Sequence, residues 1–202
     1  MKPLSFYKRY ERTILLILII IIFLLSYFSI NNFTEGRNTH ILAFGFEKNI
    51  PFIPFFIIFY VLTYITAAMP YFVVKDIYDY RRIALAYLSI IFVSSIIYLI
   101  YPVETIRPEI NGRGLFLGIV SQIYSIAKPY NLFPSLHVSL SALSTLICLK
   151  HNKIVGYILI VLLFLISLST LFVKQHYLVD IIFAIFLAFL SYYLFLFKKV
   201  VI

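Results

Sequence analysis

Two histidines and one aspartate carry the chemistry that this sequence offers. His176 and Asp180 stand four residues apart within Lys174-Gln175-His176-Tyr177-Leu178-Val179-Asp180, a polar island between two long apolar runs. On a helix, that spacing puts both side chains on one face, one turn apart. A carboxylate bonded to one imidazole nitrogen fixes the tautomer and leaves the other nitrogen as nucleophile or base. The plainer reading is a helix-start histidine satisfied by a nearby acid. Burying an aspartate in a membrane span costs a few kcal/mol, and that cost favours the functional reading. A second island, Phe133-Pro134-Ser135-Leu136-His137, lies upstream. Two crossings of roughly 20 residues each fit between the islands and return the chain to the same side. The two histidines are expected to meet.

His137 follows Pro134 and Ser135 at a helix start, where free backbone N–H groups and the positive dipole end make an anion site. Ser135 has two readings, as the helix cap or as a phosphate ligand through hydroxyl and amide. His137 is placed to give a proton to a leaving group. Arg107 and Lys174 supply positive charge suited to a multiply charged tetrahedral anion. Lys128 either joins them or snorkels at the interface, as Arg113 is expected to. A nucleophilic histidine, an orienting aspartate, an acid histidine and cations form the set that phosphoryl transfer through a phosphohistidine needs.

The elements that must position these groups are membrane helices. The 202 residues are 63% hydrophobic and 12% charged, with no Trp, 17 Tyr and 21 Phe, and the mean hydropathy is +1.02. A soluble domain averages about half apolar residues and needs more surface charge than this. At this length the chain is expected to be one unit, a single membrane-embedded domain over 1–202. The lone cysteine, Cys148, cannot form an intrachain disulfide. The net charge of +9 comes from basic residues at the ends of apolar runs. They read as topology signals and anionic-lipid contacts rather than a nucleic-acid surface.

Six apolar runs are expected to span the membrane as an all-α bundle, over about 14–30, 51–74, 83–101, 134–149, 154–173 and 176–197. The first follows a basic stretch, as a signal peptide does, but it is long for one and lacks a small-residue cleavage site, so it reads as a retained span. Residues 31–50 form a polar loop and Lys75 to Arg82 a charged connector. Segment 102–133 is the longest polar stretch, and 115–127 within it reads as a short interfacial helix. With six spans, both termini share a side that holds eleven of the 17 Lys and Arg residues, against six on the other. That excess marks the termini as cytoplasmic and puts Arg107, Lys128, His137, Lys174 and His176 on the outer face.

At this point the residues resemble a family, the membrane branch of the type 2 phosphatidic acid phosphatase superfamily. Its three motifs are Lys-x6-Arg-Pro, Pro-Ser-Gly-His and Ser-Arg-x5-His-x3-Asp. Arg107-Pro108 matches the end of the first, Pro134-Ser135-Leu136-His137 the second, and Ser169-Thr170 through His176 to Asp180 the third. The chain departs at Ile100, Leu136 and Thr170, so two phosphate-binding cations are missing; Lys174 and Lys128 are candidates to replace their charge. Phe-Pro-Ser-Leu-His and Lys-Gln-His-Tyr are similar to the subgroup that includes the inositol phosphorylceramide synthases. The resemblance implies His176 as nucleophile, Asp180 as its partner, His137 as general acid, and Arg107, Ser135 and Lys174 as phosphate ligands, with no metal or other cofactor.

The expected activity is a lipid phosphate phosphatase acting at the outer face of a cell membrane, bacterial by the short chain. Candidate substrates are phosphatidic acid, phosphatidylglycerol phosphate or a polyprenyl diphosphate. The alternative is a phosphotransferase with the same site and an alcohol acceptor such as inositol. The other readings weighed are a histidine-ligated haem or metal protein, which the surrounding cations disfavour, and a transporter, against which the lack of internal repeats counts. Partners are expected to be the lipid substrate and bilayer lipids, with no nucleic acid.

Overall fold

The computed structural model describes residues 3–197, with side chains from Tyr10 onward. Lys2, Lys198 and Lys199, which entered the charge comparison, lie outside the described residues, as do the side chains of Lys8 and Arg9. The fold is helical: α1 Pro3–Phe33, α2 Ile57–Val73, α3 Ile77–Ile100, α4 Leu115–Ile126, α5 Leu136–His151, α6 Lys153–Phe172 and α7 Leu178–Tyr192. A 3-10 turn, Gly45–Asn49, interrupts the first long loop. A second, Pro54–Phe56, leads into α2 with Pro54 in its first turn, where a missing N–H costs nothing. α7 runs on into a π-helical turn, Tyr193–Phe197.

Among the described residues five helices are long and apolar enough to cross a membrane: Tyr10–Phe33, Pro54–Val73, Ile77–Ile100, Lys153–Phe172 and Leu178–Phe197. By length and composition this is a membrane protein. The interfacial helix expected at 115–127 is α4. The remaining expected span is α5, whose 16 residues rise only about 24 Å, short of a hydrocarbon core of about 30 Å. Yet α5 is the centre of the bundle, packed on α2, α6 and α7. Its buried hydroxyls find partners inside the protein. Ser141 meets Thr63 at 2.8 Å and Thr66 at 2.9 Å, Ser144 donates to the Thr66 carbonyl at 2.5 Å, and Thr145 donates to the Ser141 carbonyl. Small polar side chains let helices approach closely and satisfy one another where water is absent. At the α5–α6 turn the approach is closer still: a Cβ on Gly156 would sit 2.6 Å from the Leu149 Cα, so only glycine fits.

Two boundaries differ from the expectation. α3 begins within the stretch expected to be a charged connector, because Asp76 caps it by accepting the Asp79 amide at 2.9 Å. α7 begins at Leu178, so His176 precedes the helix and does not share its face with Asp180.

The loops gather at two ends. At one, Asn31 exchanges two hydrogen bonds with the Lys128 backbone, Ile53 donates to the Phe172 carbonyl at 3.0 Å, and the backbones at His40 and Val103 pair in a single isolated bridge. At the other, Glu11 holds Arg81 at 2.6 Å, His151 lies 4.0 Å from Asp79, and Lys150 donates to the Leu196 carbonyl. α5 runs from the first end to the second.

Candidate active site

The first end holds both histidines, and the backbone explains how. α6 stops in a Schellman turn: the Lys174 amide donates to Leu171 and the Gln175 amide to Thr170, with the His176 amide also on Thr170. Such a turn needs a left-handed residue after the helix, usually glycine. Here it is Lys174, at φ +51°, a conformation that costs a non-glycine residue of order 1 kcal/mol. The turn aims His176 back over α7. Asp180, in the first turn of α7, accepts the Tyr177 amide at 2.8 Å and lies 3.2 Å from His176 Nδ1 through the same Oδ2 atom. The expected His176–Asp180 contact therefore forms, through a helix cap rather than along a helix face.

His176 is 6% exposed and Asp180 fully buried. The Ser135 amide donates to the Asp180 carbonyl at 3.3 Å, which ties the start of α5 to the start of α7. His137 follows two residues on, and its ring lies edge-to-face with that of His176, 5.7 Å between centroids. Tyr60 of α2 covers its other side at 4.4 Å. With Nδ1 of His176 held by the carboxylate, Nε2 is the atom left for chemistry. His137 Nδ1, Asp180 Oδ1, Gln175 Nε2 and Arg107 Nε are all buried without a hydrogen-bond partner among the described residues. Native interiors satisfy most such atoms, so their concentration here marks a place built to hold something polar.

The cations stand around this pair in unequal roles. Arg107 stacks over Tyr124 at 4.4 Å, donates to the Ala127 and Tyr124 carbonyls, and reaches the Gln175 Oε1 at 3.0 Å, one residue from His176. Burial holds its pKa below the ordinary arginine value, against the nearby tyrosines. Lys174 turns to the Ile50 carbonyl at 2.5 Å; burial lowers its pKa and Glu47 opposes that. Lys128 pairs with the exposed Glu35 at 2.8 Å, facing the loop rather than the histidines. Ser135 is fully buried; its hydroxyl oxygen caps α5 by accepting the Val138 amide and its amide is taken by Asp180, which leaves the hydroxyl proton free for an anion. Arg113, read as a surface charge, is exposed.

Two residues escaped the sequence reading. Gln175 sat inside the polar island as a spacer, but its buried amide links Arg107 to the His176 segment. Glu47 accepts the Leu178 amide at 2.7 Å and the Phe44 amide at 2.5 Å, so a loop carboxylate caps the helix that carries Asp180. The only signal for it in the sequence is an acid in a loop near the outer ends of the spans. Glu47→Ala is expected to lower turnover about tenfold by loosening the start of α7. Glu47→Gln, whose amide oxygen still accepts from Leu178, should recover most of it, as steady-state assays of the two variants would show.

Among the described residues no group of three or more His, Cys, Asp or Glu is placed to hold a metal ion. No curated protein matches the chain, and no solved structure does. A family model does match: residues 117–194, from within α4 through α7 and including His137, His176 and Asp180, are similar to the PAP2 superfamily.

Proposed function

We propose that this protein is a lipid phosphate phosphatase working through a phosphohistidine. The observation that carries the reading is the joined pair: His176, backed by buried Asp180, with its ring 5.7 Å from that of His137. The family match over 117–194 supports phosphatase- or phosphotransferase-type chemistry. In the first step Nε2 attacks the phosphorus, the P–O bond to the lipid breaks, and His137 gives its proton to the leaving alcohol. In the second step water attacks the phosphohistidine, His137 takes its proton, and inorganic phosphate leaves. Arg107, held beside His176 through Gln175, stabilises the equatorial oxygens; the Ser135 hydroxyl and Lys174 add donors, and Lys128 serves at the rim.

The site end is read as extracytoplasmic, with α5 as the sixth crossing and both termini in the cytoplasm of a bacterial cell. Its helical rise falls short of the bilayer, and the bundle around it closes the difference. The reading is tested by purified protein and phosphatidic acid in mixed micelles without added metal: phosphate release is expected, and its absence with every lipid phosphate offered would end the proposal.

A phosphotransferase in the manner of the inositol phosphorylceramide synthases has one observation in its favour. A cavity of about 220 Å³ beside His137 is lined by Tyr27, Tyr60 and Tyr64 among mostly apolar side chains, and it offers an acceptor alcohol a place next to the acid histidine. Chromatography of labelled lipid with and without inositol separates the two outcomes.

The claim for Lys174 is tested separately. Lys174→Gln is expected to cost roughly tenfold or more in kcat/KM and Arg113→Gln almost nothing. Lys174→Gly, which suits the left-handed turn but lacks the ammonium, should stabilise the fold by about 1 kcal/mol and still lose activity. If both Lys174 variants match Arg113→Gln, the ammonium is a surface charge.

A further inference from the structure

One cavity remains outside the chemistry. α1 packs on α3 and stands off α2 and α5. The space between is a trough of about 230 Å³, lined on α1 by Leu16 to Leu24, on α2 by Thr63 to Tyr71 and on α3 by Tyr80 to Ile91, with few polar atoms. Its upper end is His137 itself, joined there by Leu136 and Leu140 of α5. Its lower end is closed by a polar floor. The Arg12 guanidinium donates to the Tyr71 carbonyl and stacks over the rings of Tyr71 at 4.9 Å and Tyr80 at 5.4 Å, while the Thr13 hydroxyl meets that of Tyr71 at 2.9 Å.

We propose that this trough holds one hydrocarbon tail of the phosphorylated substrate, and that the Arg12–Tyr71–Tyr80 floor limits its length. This rests on the phosphatase reading. Three observations point to a tail. The lining is apolar, so water gains nothing there. The trough ends on the acid that protonates the leaving oxygen, so whatever fills it is covalently close to the phosphoester. Its helical lining spans roughly 12 to 16 Å, close to one leaflet of a core of about 30 Å. A substrate entering sideways between α1 and α2 would lay its tail in the slot and bring its phosphate to His176. A tail longer than the slot meets a charged guanidinium held by the Tyr71 carbonyl and two rings and must bend out into the bilayer.

The chain contains no Trp, so one introduced tryptophan is the sole indole reporter. Phe23→Trp replaces a lining ring by one of similar shape; Ile158→Trp, on the exposed face of α6, reports ordinary bilayer contact. Both are made in the His176→Ala background, so no substrate turns over. In phosphatidylcholine vesicles titrated with tail-brominated lysophosphatidic acid, Phe23→Trp is expected to quench saturably, with a midpoint about tenfold below that of Ile158→Trp. Tail-brominated lysophosphatidylcholine should not separate the two. Parallel quenching at both positions by both lipids would overturn the proposal. As a second arm, Ala68→Trp plugs the trough in the active enzyme, and the kcat/KM ratio of palmitoyl to hexanoyl lysophosphatidic acid is expected to fall about tenfold. An unchanged ratio would also overturn it. Selective quenching in a protein whose active form releases no phosphate would sink the catalytic reading and leave the trough standing.

Discussion

His176→Ala is expected to lower phosphate release by at least about 10³-fold, leaving only what binding and charge supply. The prediction rests on there being no substitute. His137 stands beside His176, but its Nδ1 is buried without a partner, so no carboxylate fixes its tautomer or stabilises charge on it. Nor is it free to serve as nucleophile, since the leaving oxygen still needs its proton. A second readout makes the test sharper. Brief incubation of the wild type with ³²P-labelled lipid phosphate, followed by an alkaline quench, should leave label on the protein that acid removes, as a phosphoramidate requires. The variant should carry none. Wild-type turnover in the variant would remove the phosphohistidine route.

Asp180→Asn is the next largest effect, and its direction distinguishes orientation from structure. One carboxylate oxygen serves both the Tyr177 amide and His176 Nδ1. An asparagine with its oxygen in that place keeps both hydrogen bonds but carries no charge, so the positive charge that builds on the His176 ring during attack loses its counter-ion. With the amide turned the other way, the NH2 faces Nδ1, the proton moves to Nε2 and the nucleophile is capped. Turnover is expected to fall about 10²- to 10⁴-fold. Stability should hold or rise, because the change removes a charge from a fully buried site while keeping at least one hydrogen bond. Phosphate release and a thermal unfolding curve on the same preparation check both halves. Equal losses in activity and in unfolding temperature would make Asp180 a structural residue.

The chemistry was legible because polar residues are costly in an apolar chain, and cost concentrates attention. His137, His176 and Asp180 stood out for that reason, and their spacing foretold that they would meet. The mode of contact was not legible. A four-residue spacing suggests a helix face, whereas the Schellman turn at Lys174 delays α7 by two residues and a capping interaction restores the contact. The start of α3 was missed because a run of charges hid the cap at Asp76. The cations were the least readable group. A sequence shows where a charge is attached, not which acceptor it finds, and Lys128 and Lys174 find Glu35 and Ile50 in loops far along the chain. Glu47 was hidden for the same reason: its partner, Leu178, is 131 residues away.

The brevity of α5 bears on how the protein is made. Its 16 residues include serines at 139, 141 and 144 and threonine at 145; Ser139 and Thr145 bond back to α5 carbonyls, but the hydroxyls of Ser141 and Ser144 find their partners on α2. Emerging from the ribosome alone, such a segment has little reason to leave the insertion channel for lipid. A single residue, Asn152, separates it from the strongly apolar α6, capping both helices. So short a link is expected to make the two enter the bilayer as a hairpin, α6 drawing α5 in. In that order His137 takes its place once the hairpin closes on α2 and His176 with the next segment, so a truncated chain is expected to lack the His137–His176 pair.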